Sequence, residues 1–82
     1  MNSATRVVVY TKPGCHLCED ACRVVASVVG ADWTEVDITD QPELMKQWAE
    51  YVPVILVDGE VHDVFRVSAD RLRAALSNRR RV

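Results

Sequence analysis

The stretch Val7-Val8-Val9-Tyr10-Thr11-Lys12-Pro13-Gly14-Cys15-His16-Leu17-Cys18 decides the fold. Its first part, from Arg6 to Tyr10, is an unbroken β-branched and aromatic run, the pattern of a central strand buried on both faces. Thr11 to Gly14 is a turn, closed by proline and glycine. From Cys15 to Val29 the residues Leu17, Ala21, Val24, Val25, Val28 and Val29 recur at three- and four-residue spacing, and Gly30 stands where a helix stops. Valines are mediocre helix formers, so tertiary packing must hold this helix. A strand therefore hands the chain to a turn, and the turn to a helix that begins at Cys15 with Cys18 one turn further on.

Beyond Gly30, Trp33 to Asp37 alternates between Trp33, Glu35, Asp37 on one side and Thr34, Val36 on the other, with Ile38 continuing the second series, which predicts a strand with unequal faces. Thr39 and Asp40 are suitable N-cap residues, Pro42 and Glu43 suit a first helical turn, and Leu44, Met45, Trp48 and Ala49 form the apolar stripe of a short second helix. Val54 to Val57 is a short apolar run, Asp58-Gly59 is a two-residue hairpin signal, and Val61 to Phe65 has the pattern of an edge strand, on which His62 is expected to be solvated. Ser68 caps a last helix through Leu72, Ala75 and Leu76, and Arg79-Arg80-Arg81 falls where the helix dipole favours positive charge. The order β-α-β-α-β-β-α predicts an α/β protein with one four-stranded mixed sheet flanked by helices and the first strand central. No repeat or linker interrupts it, so residues 1–82 are expected to form a single domain.

Composition narrows the function. With 82 residues, 49% of them apolar, the chain has material for one small core. Ten basic and twelve acidic residues leave a formal charge of −2, which supplies no electrostatic footprint for nucleic acid. No apolar run approaches the roughly 20 residues of a membrane helix, and the segment Met1 to Arg6 lacks the basic start and long apolar region of a secretory signal. A cytoplasmic, monomeric protein with neither a membrane nor a nucleic-acid partner is expected. Three cysteines, two of them as Cys-x-x-Cys, do not make a secreted disulfide framework but suit a reducing compartment and a redox-active pair.

At the start of a helix, Cys15 and Cys18 share a face and can approach the ~5.5 Å Cα separation of a disulfide. Unpaired backbone N–H groups and the helix dipole favour a thiolate there, and the thiolate is the reactive form. Cys15, in the turn entering the helix, is the expected nucleophile; Cys18, one turn in and shielded, is the expected resolving thiol. Lys12 is a candidate for attracting an anionic thiol substrate or stabilising the thiolate, with a plain surface role as the alternative, while Glu19 and Asp20 oppose that thiolate effect. His16 stands between two readings, a thiolate-stabilising cation and a solvated first-turn residue. Cys22 lies on a neighbouring stripe of the helix, where a small buried side chain is expected and a Cys18-Cys22 disulfide is the minority alternative. Trp33, Trp48 and Tyr51 are expected to pack in the core and at its rim. Val52-Pro53 marks a strand start or a cis turn.

Taken together, Tyr10-Thr11-Lys12-Pro13-Gly14-Cys15-His16-Leu17-Cys18 resembles the active-site segment of glutaredoxins, and Val52-Pro53 resembles their cis-proline signature. The resemblance runs along nearly the whole chain and points to short glutaredoxin-like proteins of the thioredoxin superfamily without an assigned substrate. It implies a thioredoxin fold and a thiol-disulfide oxidoreductase in which Cys15 attacks, Cys18 resolves, Pro53 is a cis-proline facing them, and Val52 offers its backbone to a substrate chain. Lys12 matches a family lysine that helps to bind the carboxylate of glutathione. No bound cofactor is implied; glutathione or another low-molecular-weight thiol is the implied reductant, and a disulfide-containing protein or small thiol the implied substrate. The chain departs from the family pattern in two places. His16-Leu17 replaces the usual Pro-Tyr type, and the glycine pair that opens space for glutathione is missing around Val64-Phe65-Arg66-Val67, with Ser68 and Asp70 as partial substitutes for the acidic helix start.

Two other classes of function fit the same residues. A thioredoxin-fold metal or iron-sulfur module would use Cys15 and Cys18 as ligands, although a zinc site ordinarily draws two ligand pairs from separate segments and only one pair is visible. An adaptor would pair a partner strand with the exposed edge Val61 to Phe65 and leave both cysteines dispensable.

Overall fold

The computed structural model describes residues 6–79. Along the chain these form β1 (Val7–Thr11), α1 (His16–Val29), β2 (Trp33–Asp37), a 3-10 turn (Ile38–Asp40), α2 (Pro42–Trp48), β3 (Val54–Val57), β4 (Glu60–Val64) and α3 (Ala69–Arg79). Arg80 and Arg81 lie outside the described residues. The strands make one sheet in the order β2-β1-β3-β4, with β1 parallel to β2 and antiparallel to β3, and β3 antiparallel to β4. The fold is the thioredoxin arrangement expected from the sequence, with β1 inside the sheet.

Two helical layers cover the two faces unequally. Val7 and Val9 of β1 face the same way as their partners Val57 and Ile55 of β3, and all four pack with Ala21 and Val25 of α1 and Leu72 of α3 in a core whose members are at most 2% exposed. On the other face Tyr10, Val36, Leu44, Met45 and Trp48 gather around the buried Cys18, Ile38 and Val52. That second layer is only the seven-residue α2, too short to cover the sheet. Val8 and Tyr10 are therefore half-buried, and β1 is not sealed on both faces as its unbroken apolar run predicts.

Local chemistry sets the element boundaries. Cys15 is not the first helical residue but the N-cap of α1, and Gly30 ends that helix by donating its N–H to the Ala26 carbonyl at 2.8 Å. Thr39 and Asp40 do not cap α2 as their residue types suggest. Asp37 instead accepts from the Thr39 N–H at 2.9 Å and its hydroxyl at 2.6 Å, which starts a 3-10 turn and takes Ile38 out of the strand into the core. Gln41 then precedes α2 with no side-chain cap. Asp58 and Gly59 both have positive φ, 53° and 84°, the geometry of a tight hairpin matched to strand twist. That turn places β4 at Glu60–Val64, one residue earlier than the alternation predicts, with an irregularity opposite Ile55 and Leu56. His62 is half-buried rather than solvated. Ser68 does cap the last helix: its hydroxyl accepts from the Arg71 N–H at 3.3 Å and its carbonyl from the Leu72 N–H at 2.9 Å.

Leu72 is the one fully buried side chain that α3 contributes to the larger core among the described residues. Leu72→Ala is expected to lower unfolding stability by about 2–5 kcal/mol, read from the urea midpoint of the reduced protein. A loss well under 1 kcal/mol would mean that α3 is not locked to the sheet.

Candidate functional site

The turn that follows β1 is shaped by Gly14, whose φ of 73° lies in the left-handed region that glycine enters without steric cost. It leaves Cys15 in an extended conformation, φ −102° and ψ 108°, immediately before the first helical residue. In that pose the Cys15 Sγ turns back over the open end of α1 and accepts the Cys18 backbone N–H at 3.1 Å. A sulfur thus does what a serine or aspartate oxygen does at other N-caps, satisfying an amide that has no partner inside the helix. The same contact holds the sulfur beside the positive end of the helix dipole.

Cys15 is half-buried and Cys18 is 3% exposed, so an incoming molecule reaches Cys15 first. Both thiols are free. Burial above all pushes the Cys18 thiol up to about 12; a hydrogen bond to the Cys15 side chain adds to this, a backbone hydrogen bond from Lys12 acts the other way, and the neighbouring Cys15 and Cys22 raise it further. Cys22 is pushed up to about 11, chiefly by burial, then by the charge of Glu35 and by Cys15. The two inner thiols are therefore kept protonated at neutral pH.

Of the expected site residues, Lys12, Cys15, Cys18 and Val52 come together. Lys12, Cys15 and Cys18 line one open pocket of about 470 Å3 together with Cys22, Arg23 and Glu35. Val52 packs into the cluster that contains Cys18 and Cys15. The Val52–Pro53 peptide is cis, and both residues are buried. His16 projects into solvent, with its side chain 95% exposed and Nδ1 3.8 Å from Glu19 Oε1. Ser68 is occupied as a cap, Asp70 pairs with Arg73 at 3.2 Å, and neither lines the pocket at the dithiol.

Three features of the site are not singled out by the sequence pattern. Cys22 packs against the larger core, as expected, yet it also opens onto the dithiol pocket. Glu35 sits opposite Val9 on β2 and accepts a 2.8 Å hydrogen bond from the hydroxyl of Thr11, which is 2% exposed. The strand's alternation places Glu35 on the α1 side, but only the parallel register, Val9 opposite Glu35 and Thr11 opposite Asp37, brings its side chain within reach of Thr11. The third is Phe65, just past β4, which has φ 71° and is 42% exposed, its ring 6.2 Å from that of Tyr51. Among the described residues no three or more His, Cys, Asp and Glu side chains form a group that could hold a metal ion, and no helix is long and apolar enough to cross a membrane.

Comparison with known proteins agrees with this geometry. An uncharacterized protein of Mycobacterium tuberculosis is 30% identical over 83 residues, covering 92% of this chain and 86% of the relative; one from Mycobacterium bovis matches to the same extent. Among solved structures, a structural-genomics target protein from X. campestris superposes with a TM-score of 0.76 at 29% identity, over 88% of this chain and 96% of that one. Oxidized glutaredoxin 2 from Chlamydomonas reinhardtii shares the fold, with a TM-score of 0.58 at 22% identity over 89% of this chain and 72% of its own. The family profile described as Glutaredoxin-like domain (DUF836) matches residues 6–77, and the chain belongs to that glutaredoxin-like family.

Proposed function

We propose that the protein is a thiol-disulfide oxidoreductase working through Cys15 and Cys18. The observation that carries this reading is the N-cap geometry: an accessible sulfur held by a helix N-terminal amide, with a second, buried thiol one turn behind it. Cys15 attacks as the thiolate on one sulfur of a substrate disulfide. The bond between the substrate sulfurs breaks, one half leaves as a thiolate, and the other half stays on Cys15 as a mixed disulfide. Cys18 then loses its proton and attacks the Cys15 sulfur, forming Cys15–Cys18 and releasing the second half. The substrate gains two electrons and the protein loses two. Two equivalents of glutathione or another low-molecular-weight thiol, or one dithiol, restore the reduced pair.

The electrostatics suit that order of events. While Cys15 is a thiolate it raises the Cys18 thiol through both a hydrogen bond and its charge. Once Cys15 is capped by substrate both effects vanish, whereas the backbone hydrogen bond from Lys12 that favours the Cys18 thiolate remains. Capture of substrate thus makes the resolving thiol easier to ionise at the step that needs it. Lys12 on the rim of the pocket is suited to an anionic group on the substrate, and Val52, before cis-Pro53, to main-chain pairing with a substrate strand. Disulfide-bearing protein or small-thiol substrates and a cytoplasmic site of action fit this reading.

Cys15→Ser is expected to abolish disulfide reduction, whereas Cys18→Ser is expected to accumulate a one-to-one mixed disulfide on Cys15, visible by intact mass spectrometry. Redox titration of the wild type is expected to give a single two-electron transition between roughly −280 and −120 mV, the span of known oxidoreductases. Failure to form Cys15–Cys18, or full activity in Cys15→Ser, sinks the proposal.

Stability supplies a separate check. The folded value of Cys18 lies above the ordinary thiol value of 9.0, so the protonated form favours folding; this contribution is complete below pH 9 and is lost as pH rises toward 12. In urea melts at increasing pH the reduced protein is expected to lose stability above pH 9 more steeply than the Cys15–Cys18 oxidised form, in which Cys18 no longer titrates. Parallel losses in the two forms would contradict the assigned burial effect.

A further inference from the structure

Exchange through Cys15 and Cys18 leaves one thiol unused, that of Cys22. It lies one turn beyond Cys18 on α1, half-buried against the larger core, yet it opens onto the same pocket of about 470 Å3 as both redox cysteines. Helical residues four apart keep their Cβ atoms roughly 5–6 Å apart, whereas a disulfide closes at about 3.5–4.5 Å. A Cys18–Cys22 bridge therefore needs α1 to distort locally. Distortion makes that bridge slow, but the two side chains stay on one helix face at all times, so geometry alone does not forbid it.

The competing step is a plain thiol exchange. A Cys22 thiolate would attack the Cys18 sulfur of the Cys15–Cys18 disulfide. The bond between Cys15 and Cys18 breaks, Cys15 leaves as a thiolate, and Cys18–Cys22 forms with no net gain or loss of electrons. A staple inside α1 would then replace the pair that the reductant must reach. What opposes this step is that Cys22 stays a thiol. Burial contributes most, the Glu35 carboxylate next and Cys15 last. Once Cys15 is tied up in a disulfide it carries no charge, and of these three influences burial and Glu35 are the two that still act on Cys22.

Glu35 acts on Cys22 from across the pocket. It stands on β2 opposite Val9, and although the residue is exposed, its Oε2 accepts the Thr11 hydroxyl at 2.8 Å. Thr11 is 2% exposed, so the carboxylate is tied to a fixed point of the sheet rather than left to swing into solvent. The other charged groups lining this pocket are Lys12 in the turn and Glu19 and Arg23 on α1, and Arg23 pairs with Asp20. We propose that Glu35 is a specificity-determining residue of the exchange: held by Thr11 beside the three thiols, it keeps Cys22 out of the reaction and so confines the disulfide to Cys15–Cys18. This deepens the oxidoreductase reading and rests on it.

The test uses Glu35→Gln, which keeps the size of the side chain and an acceptor for Thr11 and removes only the charge. In a Cys15→Ser/Cys18→Ser background Cys22 is the sole thiol, and position 15 is uncharged as in the oxidised pair. Alkylation of Cys22 by iodoacetamide, a neutral probe, is expected to run about threefold faster at pH 8 in Glu35→Gln, the scale of one solvent-exposed charge interaction, with its pH midpoint moved down. At 1 M salt, where screening acts within about 3 Å, the two rates are expected to converge. With all three cysteines present, oxidation by bis(2-hydroxyethyl) disulfide followed by peptide mapping is expected to give Cys15–Cys18 in the wild type and an added Cys18–Cys22 fraction in Glu35→Gln, rising with pH. Equal alkylation rates, a difference that salt does not diminish, or identical disulfide maps overturn the proposal while leaving the oxidoreductase reading standing. If the wild type forms no Cys15–Cys18 disulfide, both fall together.

Discussion

Strand β1 is hydrogen-bonded to β2 along one edge and to β3 along the other, and this double pairing fixes where the strand ends and where Cys15 begins its turn. The register matters more than the strand's hydrophobicity. Thr11 is the last paired residue, opposite Asp37, with its hydroxyl on Glu35, and the next four residues must cross from the sheet to the helix layer. Gly14 makes the crossing short, and the sulfur of Cys15 arrives over the amide of Cys18. Shifting the register of β1 by one residue would send Val7 and Val9 to the half-covered face and misplace the sulfur together with the core.

The three thiols then differ by environment alone. Cys15 ends up over the open helix end, Cys18 behind it in the smaller hydrophobic cluster, and Cys22 a further turn down between the larger core and the pocket. Burial and neighbouring charge keep the inner two protonated. Cys15 raises Cys18 through both a hydrogen bond and its charge, so the inner thiol is sensitive to the state of the outer one.

Much of this is legible in the chain itself. The strand, the Pro-Gly turn, the two cysteines and the valine-rich helix follow from periodicity and punctuation, and Asp58-Gly59 and Ser68 do what their residue types predict. The boundaries that moved did so for local reasons: Asp37 captured Thr39 and diverted Ile38 from strand to core, and the hairpin began β4 at Glu60. His62 is half-buried although its strand is an edge. The site was less legible where it depends on register or backbone handedness. Nothing in the composition of β2 says that Glu35 meets Thr11, and nothing around Phe65 announces positive φ, since the residue type argues against it.

The edges of the sheet carry a last implication. Both outer strands bear acids, Glu35 and Asp37 on β2 and Glu60 and Asp63 on β4, and the β3–β4 ladder is irregular beside Ile55 and Leu56. Acid rows and ladder irregularities discourage a second copy from extending the sheet. A small protein that leaves aromatic and aliphatic side chains in water is ordinarily at risk of self-association. Here acids stand on both outer strands of the sheet, while Leu17, Tyr51, Val61 and Phe65 are the large hydrophobic side chains left exposed among the described residues.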